Sequence, residues 1–129
     1  MKDIHTVSVP ALAYLGDCVI ELCVRRHLVE RGLSTSAHLN AAALDFVRAS
    51  AQAEAMKNLL PHLTEEEASY FRRGRNIGHT NVPKRATVSE YRAATGMEVL
   101  FGYLHLTAQT ERIDELFALA YPEARGEEA

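Results

Sequence analysis

The sequence has no tryptophan, only two cysteines, four prolines and seven glycines in 129 residues. So little glycine and proline excludes a collagen-like or low-complexity chain, and two cysteines are too few to build a disulfide miniprotein. Cys18 and Cys23 stand in one apolar stretch. On a helix their Cα atoms would be about 8 Å apart, beyond the reach of a disulfide, so both are expected to be reduced core residues. No uninterrupted apolar run approaches the ~18 residues of a membrane span, and Met1 to Thr6 lacks the charged start and apolar run of an export signal. The expected location is cytoplasmic, with no membrane partner. Positive charge is not in excess either: 14 basic against 17 acidic side chains leave a formal net charge of −3. A nucleic-acid partner would therefore need a local basic patch. What is present is 47% apolar and 24% charged residues, the balance of a chain that folds around a core. A single domain over residues 1–129 is expected, with a core at about 10–120 and a flexible tail from about 122.

Helical punctuation runs through the whole chain. Pro10 suits a first helical position, an apolar stretch follows from Ala11 to about Val29, and Gly32 reads as its stop. Ser34, Thr35 and Ser36 offer N-caps for a helix through about Val47, and Ser50 offers one for Ala51 to Leu60, ended by Pro61. Thr64 with Glu67 and Thr87 with Glu90 have capping-box spacing, and Gly74 fits the end of the first of these helices. Thr110 would cap a last helix fading at Pro122. No stretch alternates with period two between hairpin dipeptides, so the expected fold class is all-α, with about six or seven helices.

Between these elements, Arg72 to Arg85 reads RRGRNIGHTNVPKR: five of the fourteen Lys/Arg residues, one histidine and no acid. In an acidic chain this is the one concentrated positive field. Its alternative is a plain solvated basic surface.

Two acids stand in apolar surroundings. The stretch ALAYLGDCVIELCV, Ala11 to Val24, has eleven apolar residues in fourteen around Asp17. The stretch AATGMEVLFGYLHL, Ala93 to Leu106, has nine in fourteen, with Glu98 as its only charged side chain. Helices apolar on all sides are expected to be buried, and a buried carboxylate needs a cation, a donor network or a wet cleft. Gly16, Gly96 and Gly102 each cost about 1 kcal/mol inside a helix, which close helix packing would offset while aiming both acids at one point. Hard oxygen ligands, few in number, suit Mg²⁺ or Mn²⁺ better than zinc. The alternatives are structural: Asp17 paired with Arg92, Glu98 hydrogen-bonded by Tyr14 or Tyr91. Glu21 stands four residues before Arg25 in the order that favours an ion pair, with a role behind the metal as its other reading. No histidine pair stands at i, i+4 and no serine has elbow context, so zinc and nucleophilic-serine chemistry are unsupported.

The run ALAYLGDCVIEL resembles the signature helix of ribonuclease III domains, and MEVLFGYLHL resembles that family's second acidic motif. The basic stretch, the following Thr87 to Tyr91 and the segment VRASAQAEAM, Val47 to Met56, narrow the likeness to the compact Mini-III ribonucleases, which have no double-stranded-RNA-binding domain. The resemblance implies a ribonuclease III helical fold, a homodimer and Mg²⁺-dependent endonucleolytic cleavage of double-stranded RNA, with Mn²⁺ as a substitute ion. In this branch it implies maturation of the large-subunit (23S) ribosomal RNA precursor. Carried over by residue, Asp17 and Glu98 are the catalytic and metal-binding acids. Arg72, Arg73, Arg75, Lys84 and Arg85 would track phosphates, with Asn76, His79, Thr80 and Asn81 reaching 2′-hydroxyls. Further acids of the full-length family are replaced here by Pro10, Ala13 and Thr95, and Ile77 with Gly78 stand where Ala-Lys is common. The alternative reading is a ribonuclease III fold that binds RNA or the ribosome without turnover.

Overall fold

The structure is a computed structural model that describes residues 3–77 and 86–122. Among them are six α-helices and no strand: α1 Val9–Glu30, α2 Ser36–Val47, α3 Ala49–Leu59, α4 Glu65–Arg75, α5 Val88–Leu106 and α6 Thr110–Ala120. Short 3₁₀ turns occupy Ile4–Thr6 and Leu60–His62. The expected all-α class and helix number hold. The tail expected to be flexible beyond Pro122, and Gly78, His79, Thr80, Asn81, Lys84 and Arg85 of the basic stretch, lie outside the described residues.

Local signals set most of the helix starts. Both capping boxes form: the Thr64 and Thr87 hydroxyls accept from the backbone N–H of Glu67 and Glu90, whose carboxylates accept in return from the caps. Two expected caps are displaced, and α1 starts one residue earlier than expected. Ser8 caps α1, its hydroxyl accepting from the Ala11 N–H at 3.1 Å, so the helix begins before Pro10. Ser50 and Thr110 lie inside helices whose caps are Arg48 and Gln109. Gly74 stands one residue before the end of α4, as expected, and is buried there against α5.

Helix α5 is the centre, and α1, α3, α4 and α6 all pack on it. Its apolar residues surround the axis, so neighbours on several sides are what its sequence requires. From Ala94 to Leu104 every residue is buried except Glu98. Glycines allow the closest approaches. A Cβ on Gly16 would collide with the Glu98 carbonyl, and one on Gly102 with the Leu12 carbonyl, so α1 and α5 meet backbone to backbone. Gly74 and Gly96 do the same for α4 and α5, a Cβ on Gly74 falling 2.8 Å from the Gly96 Cα.

Away from this crossing the fold is closed by buried polar contacts and stacked rings. Glu67, 3% exposed, takes two hydrogen bonds from Arg112, at 2.8 and 2.9 Å, and Arg112 also donates to the His62 carbonyl. The Tyr121 hydroxyl donates to the Phe46 carbonyl at 2.8 Å, tying the end of α6 to α2. Tyr70 and Tyr103 stack with ring centroids 4.1 Å apart, which seats the end of α4 on α5.

Candidate metal and RNA site

The backbone contact between α1 and α5 determines where the two acids stand. Asp17 follows Gly16 directly, and the Gly16 Cα faces the peptide of Glu98 itself. The carboxylates consequently share one electric field. Burial, and after it the charge of Asp17, push the Glu98 carboxyl up from the ordinary range to about 7. Among the described residues Glu98 has no hydrogen bond to its carboxylate and Asp17 has no ion pair, so neither the Arg92 pairing nor the tyrosine donors take up these groups.

Two expectations are corrected here. Asp17 is exposed, not buried, because α1 meets α5 on one side only. The bare side of α1 carries Tyr14 at 86%, Leu22 at 65% and Val29 at 61% exposure. Cys18 lies on it and is exposed, whereas Cys23 is buried. Glu21 pairs with Arg25, Nε to Oε2 at 3.2 Å, as its spacing suggests.

Glu98 opens into a cleft of about 220 Å³ between α3 and α5, where Ala49, Gln52, Tyr91 and Thr95 also line the wall. A divalent cation fits the donor set. It offers two carboxylates without competing partners among the described residues, and Glu98 is held partly protonated by burial and, after it, by a like charge that a cation would cancel. Among the described residues no group of three or more ligating side chains stands together. Remaining positions would fall to water and substrate, which is the habit of Mg²⁺ and not of a closed zinc cage.

The basic residues that the structure describes sit at the end of α4. Arg72, Arg73, Arg75 and Asn76 are all exposed. The Arg73 guanidinium lies over the Tyr70 ring, 4.4 Å from its centroid, and Arg75 lies 5.7 Å from that of Phe71. Arg72 reaches Glu65 at 3.6 Å across a solvent-exposed pair of little strength. Cations at the C-terminal end of a helix also complement its dipole.

The protein-family model for the ribonuclease III domain matches residues 10–109. The chain belongs to the ribonuclease III domain family. Within the family it groups with Mini-ribonuclease 3. It is 47% identical to Mini-ribonuclease 3 of Symbiobacterium thermophilum over 122 residues, covering 93% of this chain and 94% of that one. It is 44% identical to the Enterococcus faecalis protein of that name over 118 residues, 90% and 89% of the two chains. A crystal structure of a protein from Fusobacterium nucleatum matches with a TM-score of 0.83 at 29% identity, covering 95% of this chain and 99% of that one. The chain is accordingly a ribonuclease III-type endoribonuclease by family, and among its described residues no helix is long and apolar enough to cross a membrane.

Gln52 is the cleft residue that sequence reasoning passed over. A signal was there: Gln52, Ala55, Met56 and Leu59 have the spacing of one helix face, and that face is buried. A polar side chain among three apolar ones on a core face is the departure that marks it.

The raised Glu98 carboxyl has a measurable consequence for stability without metal. The folded state holds this proton more tightly than the unfolded chain. The stabilisation is therefore complete below the ordinary value of 4.5 and is lost as the pH rises through about 7. The amount is on the order of 3 kcal/mol at most. Glu98→Gln removes the titration. Urea melts with chelator should show the variant level with its parent near pH ~5 and more stable near pH ~8. A difference between the proteins that does not change with pH would contradict the raised Glu98 carboxyl.

Proposed function

We propose that the protein is a Mg²⁺-dependent endoribonuclease that cleaves double-stranded RNA, with the large-subunit (23S) ribosomal RNA precursor as substrate, in the cytoplasm. The observation that carries this reading is Glu98. It is the one residue from Ala94 to Leu104 that is not buried, it lines the cleft, and it lies in the field of Asp17.

Asp17 and Glu98 would hold the ion, and binding it requires Glu98 to release its proton. When bound, the ion supplies acidity to a water and offsets charge on the phosphate undergoing attack. The rest falls to the protein. Arg72, Arg73 and Arg75 bind phosphates, Arg73 with its fork held in place by the Tyr70 ring. Asn76 reaches toward the shallow minor groove, where recognition is by duplex shape more than by sequence. In this reading His79, Thr80, Lys84 and Arg85 also contact the RNA. Glu21, engaged with Arg25, is left a supporting role behind Asp17.

The bare face of α1 would be covered by a second copy of the chain. Tyr14, Leu22 and Val29, spaced at seven to eight residues along one helix side, form an apolar stripe that a two-fold partner buries against itself. A homodimer sets two sites on one duplex, one for each strand.

Long duplex RNA incubated with the protein and Mg²⁺, with Mn²⁺ and with EDTA tests the reading. Cleavage with either ion and none with EDTA is expected, falling as salt rises because lysine and arginine contacts to phosphate carry the affinity. Cleavage undiminished by EDTA would overturn the metal assignment, and retention of RNA without cleavage under any condition would favour a binding module.

A further inference from the structure

Gln52 is the buried polar side chain that the proposed mechanism leaves unused. It is 4% exposed, on the core face of α3, and what surface it has opens into the Glu98 cleft. Among the described residues its amide makes no hydrogen bond, although it offers two donors and an acceptor. The amide atoms are not sealed from the cleft, so whatever fills the cleft supplies their hydrogen bonds.

The lining restricts what the partner is. Among the described residues no lining side chain is cationic, and Glu98 is acidic. Apart from an ion held on Glu98, nothing in this described lining offsets the repulsion between a phosphate and that carboxylate. The Thr95 hydroxyl already donates to the Tyr91 carbonyl at 3.1 Å, which leaves its oxygen as an acceptor only. A neutral group that both donates and accepts matches this wall. On a nucleic acid backbone, that group is the ribose 2′-hydroxyl, which DNA lacks.

We propose that Gln52 is a specificity-determining residue: its amide takes the 2′-hydroxyl of a nucleotide beside the scissile phosphate and makes the site prefer RNA to DNA. This rests on the reading that the protein cleaves duplex RNA. Hydrolysis by an activated water does not use the 2′-hydroxyl as a nucleophile, so loss of that hydroxyl reports recognition and not chemistry.

The test compares kcat/KM for an all-RNA duplex with duplexes carrying a single 2′-deoxynucleotide, moved one position at a time through the cleavage site. The parent, Gln52→Met and Gln52→Leu are each assayed on the whole set. In the parent, one position beside the scissile bond is expected to slow cleavage about tenfold or more. In both variants that penalty should vanish while penalties elsewhere persist, and all-RNA cleavage should fall by a similar factor. Each ratio is taken within one protein preparation, so a loss of folded material cancels. The same deoxy profile in variants and parent, or a parent indifferent at every position, overturns the inference alone. A parent that cuts no RNA duplex overturns the functional reading, and this inference with it.

Discussion

Asp17→Asn is expected to reduce cleavage of duplex RNA by about 10³-fold or more while leaving the protein as stable as its parent, or slightly more so. The two halves have one cause. Asp17 is exposed and among the described residues forms no ion pair, so the fold does not depend on its charge. Its charge acts instead on Glu98, whose carboxyl it helps to raise. Asparagine keeps the shape and one oxygen, but a neutral amide is a poor ligand for a hard divalent ion. With the like charge removed, Glu98 should titrate nearer the ordinary carboxylate range, the part due to burial remaining. Single-turnover cleavage assays, thermal melts and a carbon-detected NMR titration of Glu98 read these effects separately. Activity within about tenfold of the parent would take Asp17 out of the mechanism, since a group that holds the ion contributes far more than that.

Gly16→Ala should have the largest effect on stability. On an exposed helical site the change from glycine to alanine stabilises by about 1 kcal/mol. Here the sign reverses. The new Cβ would overlap the Glu98 carbonyl and lie 2.8 Å from the Gly102 nitrogen, and these are backbone atoms of a helix packed on several sides. No rotamer change relieves such a contact, so α1 and α5 must separate, at a cost of about 3 kcal/mol or more out of the ~5–15 typical of a whole domain. Gly102→Ala meets the Leu12 carbonyl from the opposite side and should behave alike. Urea denaturation measures the loss. The prediction extends to function: whatever variant remains folded has Asp17 displaced from Glu98, so Mg²⁺ affinity should fall along with stability. A Gly16→Ala protein as stable as its parent would mean that the two helices are not in backbone contact.

The capping boxes at Thr64 and Thr87 were readable because each is a closed exchange within four residues, independent of what the helix later packs against. Asp17 and Glu98 were readable as a departure from pattern, charges in helices too apolar to carry them. Gly74 was placed correctly near the end of α4, but its packing against α5 was not readable. A glycine ending a helix and a glycine letting another helix approach look the same in one dimension, and only the position of Gly96 and Val99 against it separates the two. The burial of Asp17 was misjudged for a related reason. Apolar residues all round α1 imply cover on all sides, but the fold covers one side and leaves Tyr14, Leu22 and Val29 open.

Composition, periodicity and caps by themselves determined an all-helical chain and singled out its two misplaced acids, because these depend on residues within a turn or two of each other. That the acids share a field, that Glu98 opens on a cleft and that Gln52 stands there without a partner were decided only by the packing of α1 and α3 on α5. Those relations join residues dozens of positions apart, and contact across such a distance is settled by which surfaces exclude water together, not by any local preference.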